Sequence, residues 1–181
     1  PPAPADSKPG TVTVFTVTTE GDNSPMETNV FGTFAEAVAN VRGIMADVLR
    51  EYFRFVQASD LYAYGHSHSG WNFLKGPAPL DTYDWIITNP PFGKKTTPFV
   101  LRAIDLARTG VAMFLRLQVL ETLERYEKIF KPHPPTLVAP FVERVNLCKG
   151  RWDPKGGTAT AYCWVVWIKG RDPLPMYWIP P

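Results

Sequence analysis

Proline constrains this chain more than any other residue type. It occurs 19 times in 181 residues, about twice the usual ~5%. Its ring is excluded from helix interiors and from central strands. Four prolines fall in residues 1–10 (Pro1, Pro2, Pro4, Pro9) and four in 171–181 (Pro173, Pro175, Pro180, Pro181). The other eleven (19 − 8) gather mainly at 77–79, 90–98 and 132–140. They punctuate the chain and form no polyproline repeat. Regular elements must therefore fit between these clusters.

Residues 1–10 read as a flexible leader and 11–181 as a single domain. Residues 11–19, TVTVFTVTT, alternate apolar residues with threonine and predict a strand with one apolar face. From Phe34 to Phe55 apolar residues recur at three and four, an amphipathic helix with Thr33 as N-cap and Glu36 completing a capping box. The rhythm then shortens. FRFVQASD (53–60) reads as a buried strand ending in an acid, and YDWIITNPPFG (83–93) as a strand that runs into a proline turn. Residues 97–109 predict a helix with Thr97 as cap, Pro98 in its first turn and Gly110 as its stop. A strand at 111–120 and a short helix, ETLERYEKIF, follow. Segments 135–145 and 159–169 read as two paired strands. With 45% hydrophobic and 20% charged residues a packed core is expected. The alternation predicts an α/β fold with a mainly parallel sheet that closes in a C-terminal antiparallel hairpin.

Two cysteines, Cys148 and Cys163, make no disulfide framework and no zinc pattern, and read as buried thiols of a reducing compartment. No apolar run approaches the ~20 residues that span a bilayer. A cytoplasmic protein without a membrane partner is expected. The net charge of +2 is uneven. Residues 1–40 carry one basic and five acidic side chains (1 − 5 = −4), which leaves +6 on 41–181. That leans toward an anionic partner.

Chemistry concentrates in Asp84-Trp85-Ile86-Ile87-Thr88-Asn89-Pro90-Pro91-Phe92. An apolar strand delivers Asn-Pro-Pro-Phe at its carboxyl end, where open α/β sheets bind ligands. The Asn89 carboxamide oxygen and the Pro90 carbonyl can each accept an N–H from a planar amine. Two prolines fix φ near −65° and keep both acceptors in place. Phe92 offers a face for base stacking, worth roughly 1–3 kcal/mol. The plainer reading is a Pro-Pro turn with Asn as turn residue and Phe as core plug.

DWIITNPPFG resembles the catalytic motif of class I S-adenosylmethionine-dependent amino-methyltransferases, in particular the adenine-N6 group. From about Val48 to Pro181 the chain is similar to small bacterial and phage-associated methyltransferase-like proteins, through VQASD (56–60), ITNPPF, FVERV, KGRWDP, TATAYCWVVW and WIPP. The resemblance implies a Rossmann-like methyltransferase fold and transfer of a methyl group from S-adenosylmethionine to an exocyclic amine, adenine N6 of DNA first. Glutamine side chains are another amine target of such motifs, usually with tyrosine where Phe92 stands. The resemblance assigns catalysis to Asn89, Pro90, Pro91 and Phe92. It assigns Asp60 to the cofactor ribose hydroxyls, and Asn72 with Phe73 to the cofactor adenine, Asn72 standing where an acid is usual. It also implies a glycine-rich loop after the first strand, whereas residues 28–45 hold only Gly32 and Gly43 and no G-x-G. A catalytically degenerate relative acting as a binding or assembly component is the alternative. No separate target-recognition domain is visible, so specificity is loose or comes from a protein partner.

Lys94, Lys95, Arg144, Lys149, Arg151 and Lys155 read either as a phosphate-contacting rim for nucleic acid or as scattered solvated charges. We take Lys94, Lys95, Arg151 and Lys155 as the substrate-binding candidates. His66 and His68 lie in a loop without a cysteine or carboxylate at ligand spacing, so no metal is expected and the loop reads as a flank of the site. Tyr162, Trp164 and Trp167 read as sheet packing.

Overall fold

The structure, a computed structural model, describes residues 13–18, 49–50, 53, 55–61, 68–69, 71–77, 83–145, 147–148, 151–152 and 159–180, with the backbone alone at 13–18, 55, 60, 68–69, 147–148 and 151–152. The expected leader, most of the helix at 34–55, His66, Lys149 and Lys155 lie outside the described residues. Of that helix, Leu49 and Arg50 are helical, and the Phe53 N–H donates to the Leu49 carbonyl at 2.8 Å.

The elements are β1 (Thr13–Thr18), β2 (Phe55–Asp60), β3 (His68–Ser69), β4 (Trp85–Thr88), α1 (Thr96–Leu106), β5 (Gly110–Arg116), a 3-10 turn (Leu117–Leu120) and α2 (Leu123–Arg125) continued by a π-helical turn (Tyr126–Phe130). Then come β6 (Leu137–Pro140), β7 (Leu147–Cys148), β8 (Arg151–Trp152) and β9 (Tyr162–Ile168). Seven strands form one sheet in the order β3-β2-β1-β4-β5-β9-β6, and β7 pairs with β8 apart from it.

The sheet is mixed, not mainly parallel. Only β2–β3 and β4–β5 are parallel, while β1–β2, β1–β4, β5–β9 and β6–β9 are antiparallel. The expectation failed because a continuous apolar run reports burial of both faces, not direction. GVAMFLR in β5 and YCWVVWI in β9 are each buried at all but one position, yet they run opposite ways. The antiparallel pairing of the two C-terminal segments is present as β6 against β9, in register from Leu137↔Val166 to Pro140↔Cys163.

Side chains alternate between the faces, as strand geometry requires. Trp85, Ile87, Ala112, Phe114, Tyr162 and Trp164 build one core cluster with Leu49, Phe53 and Ile179. Ile86, Val111, Met113, Leu115, Val165 and Trp167 build the other with Phe99, Val100 and Ala103 of α1. The Trp164 and Trp167 rings are thus core on opposite faces. Phe114 stacks on Tyr162 at 5.0 Å and 11°, a contact worth about 0.5–1.5 kcal/mol beyond its buried area. Gly110 opens β5 opposite Trp85 and does not stop α1, which ends at Leu106. A Cβ there would lie 2.6 Å from the Trp85 ring. Behind this pair the buried Asp84 carboxylate accepts from Arg108 Nε at 2.9 Å and is ion-paired with the same guanidinium. That pair ties the start of β4 to the loop before β5.

Candidate functional site

Strands β2 and β4 both run antiparallel to β1, so they are parallel to each other and end at one edge of the sheet. Asp60 is paired with Thr13 and Thr88 with Val14, which puts Asp60 and Asn89 at the same level. Two strand spacings separate them, about 10 Å. Strand β5, parallel to β4, ends at this edge with Arg116. From β1 the order runs to β2 and β3 on one side, and on the other it runs through β4, β5 and β9 to β6, so that β9 is inserted before β6. The carboxyl ends of β2, β4 and β5 thus gather at this edge.

Immediately after Thr88, half-buried Asn89 and buried Pro90 lead into Pro91 and Phe92. Gly93 then turns the chain at φ 92°, a conformation that favours glycine. The buried Thr96 fastens this turn to α1. Its hydroxyl donates to the Pro91 carbonyl at 2.9 Å, and its N–H donates to the Gly93 carbonyl at 3.1 Å. Thr97, the expected cap, lies inside the helix, and Lys95 holds the N-cap position without a side-chain cap. Pro98 sits in the first turn as its missing N–H allows. Among the described residues, no donor meets the Asn89 carboxamide or the Pro90 carbonyl. Neither acceptor is thus taken by a described donor, on a turn that Thr96 fastens to α1.

Phe92 packs against Tyr162 at 5.9 Å, and the Arg116 guanidinium carbon lies 4.7 Å over its ring. Beside it opens a cleft of ≈ 150 Å³ lined by Phe92, Gly93, Thr96, Arg116, Gln118 and Arg125, with Leu115 and Val119 as its apolar floor. Arg125 Nη1 donates to the Gln118 carbonyl at 2.9 Å. Lys94 and Lys95 are exposed on the turn before α1. The mouth of the cleft is thus basic, and Glu124, on the same side of the fold, is neutralised by Lys128 at 2.9 Å. That partner holds the Glu124 carboxyl below its usual range, by hydrogen bond first and by charge second.

The other expected site residues are placed differently. Asn72 Oδ1 accepts from the N–H groups of Leu74 (3.0 Å) and Lys75 (3.2 Å), closing its own turn. Phe73 is buried between Trp71 and Phe99, stacked on the latter at 4.9 Å. Arg144 donates to the Ala159 carbonyl at 2.9 Å. Arg151 belongs to β8 and His68 to β3. Cys163 is fully buried, as expected, and burial pushes its thiol up to about 12. Arg116, Arg125 and Thr96 were not singled out from the sequence. A signal for Arg116 exists: it is the one charged residue at the carboxyl end of an otherwise apolar strand, as Asp60 is for β2.

Among the described residues no group of His, Cys, Asp or Glu is arranged to hold a metal ion, and no helix is long and apolar enough to cross a membrane. No protein-family model, no curated protein and no solved structure matches this chain.

Proposed function

We propose that the edge bearing Asp60, Asn89 and Phe92 is the site of S-adenosylmethionine-dependent N-methylation of an exocyclic amine, adenine N6 of DNA first. The observation that carries this reading is the pair of acceptors on the fastened Asn89-Pro90-Pro91-Phe92 turn that no described donor meets. An exocyclic amine has two N–H donors. Engaging both holds the nitrogen in place and aims its lone pair away from the turn, so orientation supplies much of the rate. Phe92 steadies the ring that bears the amine. The basic mouth formed by Lys94, Lys95, Arg116 and Arg125 suits the phosphates of a nucleic acid.

Asp60, the residue that the resemblance assigns to the ribose hydroxyls, stands level with Asn89 on the same edge. The place of Asp60 on this edge fits the ribose end of the cofactor, and the turn at Asn89 fits the amine of the target. When bound, S-adenosylmethionine supplies an electrophilic methyl group; the chain holds the amine toward it. The insertion of β9 between β5 and β6 supports the finer assignment to a Rossmann-like methyltransferase fold. The protein would then work in the cytoplasm, with a protein partner supplying target specificity.

One observation favours the second reading, a methyltransferase-like binding or assembly component. Strand β1 starts at the site edge and ends with Thr18 at the far edge, roughly 17 Å away for the five steps of ~3.4 Å from Thr13 to Thr18. A loop that follows β1 therefore leaves from the wrong end to cradle the cofactor. Calorimetry with S-adenosylmethionine and S-adenosylhomocysteine separates the two. No heat at millimolar ligand, with the protein shown to be folded, sinks the enzyme reading. If either binds, Asn89→Ala abolishes methyl transfer to adenine-containing DNA and leaves cofactor affinity nearly unchanged. Loss of cofactor binding in that variant would contradict the role given to Asn89.

A further inference from the structure

The face of Phe92 that a nucleobase would use is already covered. The Arg116 guanidinium, planar and delocalised like a base, lies over the ring at 4.7 Å, while the Tyr162 ring packs beside it at 5.9 Å, tilted by 46°. Arg116 is exposed and its guanidinium makes no hydrogen bond to any described residue, so its five N–H donors are uncommitted. We propose that Arg116 stands in for a nucleobase on Phe92 in the free protein, and grips the phosphate of an entering DNA strand when a base takes its place. The inference rests on the reading of this edge as a base-receiving site and adds the group that guards and then anchors it.

Three observations support the exchange. An exposed cation–π contact is weaker than base–aromatic stacking, so the trade favours the base. The displaced guanidinium stays at the rim of a cleft whose other charged group is Arg125, with Lys94 and Lys95 on the neighbouring turn. A guanidinium also matches phosphate as a two-pronged donor, which a lysine does not. Glu124 is paired with Lys128 at 2.9 Å, and Glu121 alone remains exposed on the adjoining turn.

The test is a fluorescence-anisotropy titration of the full chain without S-adenosylmethionine, over a series of salt concentrations. The probes are a short adenine-containing single-stranded oligodeoxynucleotide and one of equal length with an abasic site at that position. Arg116→Met should weaken the adenine probe and lower its slope of log K against log salt by about 0.7, the value for one phosphate contact on a single strand, and leave the abasic probe, which cannot displace Arg116 from Phe92, unchanged. Arg116→Lys should keep the slope. Phe92→Leu should weaken the adenine probe roughly fivefold or more and leave the slope and the abasic probe unchanged. An unchanged slope in Arg116→Met, or equal affinity of the wild type for both probes, overturns the proposal. Because the cofactor is absent, this pattern in a protein that transfers no methyl group would defeat the proposed reaction and leave the DNA grip standing. Methyl transfer by Arg116→Met with an unchanged KM for DNA would do the reverse. Thermal unfolding shows whether each variant is folded, and removing the exposed Arg116 side chain should not change it.

Discussion

Gly110→Ala tests whether the close approach of β4 and β5 is real. The added methyl would meet Trp85 Cη2 and Cζ3 at 2.6 Å and the Trp167 carbonyl oxygen at 2.8 Å. Neither neighbour can yield easily. The Trp85 ring is 6% exposed and packed among Ile87, Ala112 and Trp164, and the carbonyl belongs to the β5–β9 ladder at Val111↔Trp167. Overpacking a core costs about 1–3 kcal/mol, and a site walled by backbone and a buried ring belongs in the upper half of that range. Replacing glycine also removes unfolded-chain entropy, a gain of ~0.4–1 kcal/mol. The net loss is therefore about 1–2.6 kcal/mol, or roughly 2–10 °C in melting temperature for a chain of this size. Calorimetric or circular-dichroism melting of the two proteins reads it directly. Adding Trp85→Phe, which removes both clashing ring carbons, should make the pair less than additive. A melting temperature equal to wild type, or strictly additive losses in the double variant, would refute the packing argument.

Thr96→Val keeps the buried volume but removes the donor to the Pro91 carbonyl. It should lower stability by about 0.5–1.5 kcal/mol, with methyl transfer or DNA binding falling further than stability does. Asp84→Asn leaves the Arg108 guanidinium without its anionic partner and should cost about 1–3 kcal/mol in denaturant melts. That loss should change little with salt, since the carboxylate is buried. Cys163 should resist a thiol reagent at pH 8 in the native protein and react at once in denaturant, because burial lifts its pKa from 9.0 to about 12. The sign follows from that direction: folding favours the neutral thiol, so its contribution is complete below pH 9 and fades as pH rises from 9 to 12. Rapid native labelling at pH 8 would show the thiol to be reachable.

Much of the fold is local and was readable. Threonine alternation marks β1, the apolar runs mark β4, β5 and β9, and Pro98 marks the start of α1. What escaped is set by partners distant in sequence. Gly110 looks like a helix stop until Trp85 is placed across from it. Asn72 looks like a ligand group until its oxygen is seen to close the turn to Leu74 and Lys75. Arg116 and Arg125 carry no motif, and only the parallel pairing of β4 with β5 brings them beside Phe92. The strand-to-proline turn at 88–92 was legible for the opposite reason, although Thr96, which fastens it, was not singled out. Asn89, the two prolines, Gly93 and Thr96 build their turn almost entirely from each other.

The direction of β1 separates the two halves of the candidate site. Asn89 and the Pro90 carbonyl depend only on β4, α1 and the turn between them, and would hold an amine whichever way β1 runs. A cofactor cradle is less forgiving, because a loop can lie over the Asp60–Asn89 edge only if the chain leaves a strand there. With β1 antiparallel to both neighbours, the chain meets that edge at Thr13 and departs from the other edge after Thr18. A loop after β1 is thereby excluded, and residues before Thr13 and the segment after Asp60 are the two stretches beside Asp60 that meet this edge. The cofactor calorimetry therefore also discriminates among topologies. Binding at micromolar concentration that survives deletion of residues 1–12 assigns the cradle to the segment after Asp60. Binding lost on that deletion, with melting unchanged, assigns it to the residues that enter β1.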